Sequence, residues 1–217
     1  MNPCKKSIGW ADFTWNPCVG CKGNCYYCAA KRMNDRFKWI PLWTSPVFYH
    51  DRLQEPFKKK KPVKIFVCFM SDLFGEWICR DWIVQVLQVC ELNPHHTFMF
   101  LTKNPSRYLK FDYPANVMLG VTITNSYHSA ANQRVIIMKK LQMRNLRTFV
   151  SLEPILGHCE GLSLDAFDLV IIGAQTGPKA MIPAREWFDN IRHLNIFYKN
   201  NILKYFPDLK NKKHELQ

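Results

Sequence analysis

The sequence predicts an α/β protein built on a parallel sheet, and two observations carry that prediction. Short apolar, β-branched and aromatic runs alternate with stretches of helical spacing along most of the 217 residues. Strands that alternate with helices at this interval pair in parallel through right-handed crossovers. The second observation is the polar residue or pair that follows most runs, because ligands of parallel α/β folds bind at the carboxyl ends of the strands. Neither observation separates an open barrel from a doubly wound sheet.

Each element has its own warrant. Phe13 to Asn16 is a short aromatic strand ended by Pro17, and a cysteine-rich loop follows it. Tyr26 to Phe37, with Ala29, Ala30, Lys31, Arg32 and Met33, is rich in helix formers, which puts Cys28 near a helix start. Residues 40–62, rich in Pro and Lys, read as an irregular basic and aromatic insertion with short extended pieces. Lys64 to Met70 (KIFVCFM) is a strand buried on both faces, closed by Ser71-Asp72. Arg80 to Leu92 has helical spacing, with Trp82, Ile83, Val86, Leu87 and Cys90 on the apolar side.

The cycle then repeats. Strands are expected at Thr97 to Leu101, Val117 to Ile123, Thr148 to Leu152, Leu169 to Ile172 and Ile196 to Tyr198. Helices are expected at Ser106 to Lys110, Ala130 to Met143 and Arg185 to Leu194, and a polar basic tail covers about 205–217. The residues closing the strands are Ser71 and Asp72, Thr102 and Lys103, Thr124 and Asn125, Glu153, and Gly173 to Gln175. Each could merely cap its strand. A carboxylate beside a KIFVCFM-type strand is harder to dismiss, because an unpaired charge in an apolar setting is costly.

A hydrophobic fraction of 47% and an aromatic fraction of 14% suit one globular domain over 1–217. A membrane span is not expected, since no run of about eighteen apolar residues occurs. Nine cysteines without a secretory segment point to a reducing compartment, the cytoplasm. Thirty Lys and Arg against seventeen Asp and Glu leave a formal charge of +13, which favours a nucleotide or nucleic-acid partner. Part of it sits in runs such as Lys58 to Lys61 and Lys210, Lys212 and Lys213, which ordinarily form solvated loops or tails.

Four of the nine cysteines fall between Cys18 and Cys28, a density without a packing explanation. Cys21, Cys25 and Cys28 form C-x3-C-x2-C, with Cys18 outside it in a loop broken by Pro17 and Gly20. Three chemistries compete. A disulfide framework is disfavoured by the odd cysteine count. A Cys4 zinc site has its two C-x2-C pairs, but only three residues between them. The favoured reading is an iron–sulfur cluster with three protein ligands and one iron left open. Isolated cysteines such as Cys68, Cys79, Cys90 and Cys159 are ordinarily buried filler, although Cys68, Cys79 and Cys159 also qualify as hydrogen-atom donors. Trp10, Trp15 and Trp43 are expected to pack a core, and His95-His96 to be structural.

The triplet, with Tyr27 before its last cysteine, resembles the signature of the radical S-adenosylmethionine (SAM) enzymes. TWNPCVGC, FMSDLF, LTKNP, LGVTITN, SLEPILG and DLVIIGAQTGP follow in the order of a bacteriophage-associated radical-SAM-like family of undefined substrate. The resemblance implies an open partial (β/α)6-type barrel and a [4Fe–4S] cluster on Cys21, Cys25 and Cys28. It implies SAM on the fourth iron, cleaved reductively with electrons from a flavodoxin or ferredoxin to start radical chemistry. Its SAM contacts would be Tyr27, Ser71, Asp72, Thr122, Thr124, Asn125, Glu153, Gly173 and Gln175, with Lys103 and Glu153 as candidate catalytic residues. A nucleotide, DNA or RNA substrate is suggested, for base modification or for lesion repair as in spore photoproduct lyase. The rival is a zinc-stapled nucleic-acid-binding protein without catalysis.

Overall fold

A computed structural model describes residues 1–127, 129–165 and 167–212. The chain divides into two compact units, Met1–Met118 and Leu119–Gln217.

In the first unit the main strands follow the order β1 (Asn2–Pro3), β2 (Phe13–Trp15), β5 (Lys64–Val67) and β6 (Thr97–Thr102). β1 runs antiparallel to β2, whereas β2, β5 and β6 are parallel, with Phe13 opposite Ile65 and Lys64 opposite Thr97. A small antiparallel pair, β3 (Cys18–Val19) with β4 (Val47–Phe48), stands apart. Two helices belong here, α1 (Ala29–Phe37) and α2 (Arg80–Glu91). Ile83, Val86, Leu87 and Cys90 of α2 are buried, at the helical spacing expected of one apolar stripe. β7 (Val117–Thr122), buried throughout, carries the chain from the first unit into the second.

In the second unit β8 (Arg147–Leu152), β9 (Leu169–Ile172) and β10 (Ile196–Tyr198) are neighbours in that order and parallel. α3 (Ser129–Gln142) precedes β8, and the short α4 (Asn200–Leu203) follows β10. β9 reads Leu-Val-Ile-Ile with every residue buried, the continuous apolar run of a strand covered on both faces.

Three expectations are corrected. The strand foreseen over Lys64 to Met70 stops at Val67, because Cys68 turns into the left-handed region at φ 58° and Cys68 to Met70 form a turn. The helix foreseen over Arg185 to Leu194 is a single 3-10 turn at Arg185–Trp187. Its apolar residues Phe188 and Ile191 are buried without continuing that turn. The tail over about 205–217 is not uniformly polar, since Leu209 is buried; residues 213–217 of it lie outside the described residues. The insertion over 40–62 contains β4 and two 3-10 turns, His50–Gln54 and Pro56–Lys58.

Candidate metal and cofactor site

The cysteine loop of the first unit is held from below by backbone. The Gly20 N–H donates to the Met70 carbonyl at 2.9 Å, the Cys21 N–H to the Trp43 carbonyl at 2.8 Å, and the Ser71 hydroxyl to the Gly20 carbonyl at 2.6 Å. The turn after β5 that interrupted the expected strand is therefore the platform on which the loop sits. Gly20 has φ 104°, and a Cβ there would lie 2.9 Å from Ile40, Pro46 and Trp43 atoms, so only glycine fits. Val19, Ala30, Ile40, Trp43 and Met70 form a small apolar cluster, and Cys21 and Cys28 pack against it.

Four sulfurs sort into one and three. Cys18 is fully buried in β3, donates its thiol proton to the Ser71 oxygen at 3.4 Å, and is pushed up to about 11 by that burial. Cys21, Cys25 and Cys28 are each partly exposed. The Cys21 and Cys25 sulfurs both border Gly23, at 3.2 and 3.9 Å from the position a Cβ would take. Cys21 Sγ accepts the Gly23 N–H at 3.2 Å, and Cys28, the N-cap of α1, accepts the Lys31 N–H at 3.3 Å. Burial pushes the Cys21 thiol up to about 11 against the lowering effect of the Gly23 N–H, with the nearby Asp72 carboxylate raising it further. Backbone donors on sulfur are the contacts that tune thiolates in iron–sulfur sites. Among the described residues no three His, Cys, Asp or Glu side chains are drawn together tightly enough to ligate a single metal ion.

Asp72 and Lys103 complete the rim. The Asp72 carboxylate accepts the Thr102 hydroxyl at 2.6 Å, the Lys103 N–H at 3.0 Å and the Phe74 N–H at 3.2 Å. Of its roughly four lone-pair directions this leaves one on Oδ2. The cost of a carboxylate beside an apolar strand is thus met by three donors. The Lys103 ammonium lies 5.5 Å from the centre of the Tyr27 ring. Burial pulls its proton affinity down, yet Tyr27, Cys25, Asp72 and Cys28 together outweigh burial and hold it above the ordinary lysine value. Ser71 is a loop fastener, its proton committed to Gly20.

The predicted residues of the second unit lie at the ends of its strands. Thr122 is buried, and its carbonyl accepts Arg134 at 3.0 Å; the Thr124 carbonyl accepts the Leu156 N–H at 2.9 Å. Asn125 borders Gly157, and Gln175 accepts the Met181 N–H at 3.2 Å. Glu153 is paired with Lys199 at 2.5 Å and receives Asn201 at 3.4 Å. A Cβ on Gly173 would lie 3.0 Å from the carbons of both Glu153 and Lys199, so the glycine makes room for the pair. Lys199 and Asn201 went unnamed in the sequence reading. They follow Tyr198, and the rule that selects polar residues after strands reaches them once β10 is recognised.

Three tryptophans and three of the isolated cysteines answer to packing. Trp10, Trp15 and Trp43 are buried, as are Cys68, Cys90 and Cys159, while Cys79 is exposed. His96 is buried, with Nε2 at 3.3 Å from the Pro56 carbonyl.

Residues 5–206 match the model of a family described as Protein of unknown function (DUF5131). No curated protein matches the chain. Among solved structures, a doubly substituted spore photoproduct lyase with bound AdoMet and dinucleoside spore photoproduct is similar, at a TM-score of 0.62 and 14% identity over 98% of this chain and 75% of that one. Spore photoproduct lyase complexed with dinucleoside spore photoproduct gives 0.61 and 14% over 95% and 74%. At that identity the likeness shows the fold, the α/β open partial barrel expected for a radical-SAM core.

Proposed function

This chain belongs to the DUF5131 family, and we propose that it is a radical-SAM enzyme acting on a nucleotide or nucleic acid. One observation carries the proposal: Cys21, Cys25 and Cys28 share one partly exposed loop, with the Cys21 and Cys28 sulfurs on backbone donors, while Cys18 is withdrawn into β3. These three would hold a [4Fe–4S] cluster. When bound, the cluster supplies the electron that breaks a carbon–sulfur bond of SAM.

The chain's own residues then have distinct tasks. Backbone N–H groups of Gly23 and Lys31 lower the cost of negative sulfur. Ser71 and Gly20 fix the loop on the turn after β5. Asp72 keeps one acceptor direction free for an ammonium such as the SAM amine, and Lys103 supplies a cation for a carboxylate or for the thiolates beside it. The formal charge of +13 supports a polyanionic substrate. So does the fold likeness to a protein whose solved structures hold a dinucleoside.

The test is anaerobic reconstitution with iron and sulfide, then reduction with SAM by dithionite or a flavodoxin system. Release of 5′-deoxyadenosine, lost in Cys25→Ala and retained in Cys18→Ala, is expected. A colourless protein carrying one zinc that Cys18→Ala abolishes would replace this reading with the zinc one.

A further inference from the structure

The far end of α1 carries a feature that neither the cysteine loop nor the core uses. Phe37 and Trp39 are stacked, ring centres 5.2 Å apart at 22°, yet they remain 52% and 47% exposed. The arrangement is built. Lys38 takes the left-handed conformation at φ 54° and donates its N–H to the Asn34 carbonyl at 2.7 Å, which ends the helix and turns Trp39 back over Phe37. Asn34 is buried and holds the backbone of Ile40 from both sides, at 3.0 and 3.1 Å. Two aromatic rings are thus kept in solvent on a short, doubly fastened turn.

Its surroundings are basic. The Arg36 guanidinium lies 5.0 Å from the Phe37 ring centre, and Lys38 stands between the two aromatics in sequence. The helix's acidic residue, Asp35, is already taken by Lys31 at 2.9 Å, and no described ion pair engages Arg36 or Lys38. Stacked, exposed aromatics flanked by free cations suit a base on the ring and a phosphate on the cation. An uncharged or basic partner would leave both cations uncompensated.

We propose that Phe37 and Trp39, with Arg36 and Lys38, form a stacking platform for a single-stranded stretch of nucleic acid. The inference rests on the nucleic-acid part of the proposed function and gives it a substrate form, single strand. α1 spans nine residues from its cap at Cys28, about 14 Å at roughly 1.5 Å per residue. A strand gripped at Trp39 would therefore reach the cysteine loop within a few nucleotides.

Fluorescence anisotropy with labelled twelve-nucleotide single-stranded DNA, single-stranded RNA and blunt duplex tests it on the full chain. Tight binding of one single-stranded form over duplex is expected. Trp39→Ala should weaken it by about five- to a hundredfold, the range of one lost base stack. Trp39→Phe should stay within about threefold of wild type, which also reports on folding. Arg36→Gln should flatten the salt dependence with little change in the single-strand preference. Tighter binding to duplex, or Trp39→Ala within about twofold of wild type while Leu194→Ala behaves the same, overturns the platform. Iron content and 5′-deoxyadenosine from the same preparations separate the two readings. An active cluster with a Trp39-independent affinity removes the platform alone, and a Trp39-dependent affinity without a cluster removes the radical chemistry alone.

Discussion

Cys18 and Cys21 are three residues apart in sequence and serve opposite ends. Cys18 donates inward to Ser71 and is fully buried, whereas Cys21, Cys25 and Cys28 stay within reach of solvent. Thiol reactivity follows exposure and thiolate fraction. Brief iodoacetamide treatment of the cluster-free protein at neutral pH should therefore modify Cys25, Cys28 and Cys79 first, and leave Cys18, Cys68, Cys90 and Cys159 unmodified until denaturant is added. Peptide mass mapping reads this directly, and early labelling of Cys18 would contradict its burial. Asp72 is the other residue whose neighbours define it. Asp72→Asn should keep the iron content and weaken SAM binding by about tenfold, consistent with losing one charge-assisted contact. Asp72→Ala should in addition lower the unfolding midpoint, since the Thr102 hydroxyl and two backbone N–H groups lose their acceptor. Equal loss of iron and SAM in Asp72→Asn would make the residue purely a scaffold.

The elements were legible in the sequence wherever periodicity was strong, and less so where single residues redirected the chain. β9 and β10 stand where the apolar runs place them, and α2 differs from its expected end by one residue. β5 falls short because Cys68 adopts a positive φ, which its place in KIFVCFM gives no reason to expect. The turn it starts is what the cysteine loop rests on, so the unpredicted part is the part the site needs. The apolar residues of the helix expected at Arg185 are buried without helical continuation, a case of tertiary packing overriding local spacing. At the candidate site the C-x3-C-x2-C triplet was readable from spacing alone as a candidate ligand set. The Ser71 fastener and the Asp72 clamp were not, because each bonds across about thirty to fifty residues of chain. Gly20→Ala tests the loop: with φ 104° and no room for a methyl group, it should cost roughly 2 kcal/mol or more and prevent stable iron uptake. In the second unit the partly buried Lys199–Glu153 pair tests packing of charge. Lys199→Ala should destabilise by roughly 2 kcal/mol in urea denaturation, reduced from a fully buried pair by the exposure of Glu153.

For the whole molecule the net charge of +13 sets the long-range behaviour. Nucleic-acid affinity should fall steeply with salt, with a log–log slope near −0.7 per phosphate contacted on a single strand. Salt-insensitive binding would remove charge as a reason to expect a polyanion. No described helix is long and apolar enough to cross a membrane. The fold likeness to spore photoproduct lyase at 14% identity fixes the class of scaffold and leaves the reaction to the residues of the loop.

Iron and sulfide content, read together with the electron paramagnetic resonance spectrum of the reduced protein before and after SAM, tests the central claim most directly. Close to four irons and four sulfides per chain in wild type and in Cys18→Ala, loss in each of Cys21→Ala, Cys25→Ala and Cys28→Ala, and a spectrum that shifts when SAM is added are expected. Iron retained after those three substitutions, or lost with Cys18, or a spectrum indifferent to SAM, would contradict it.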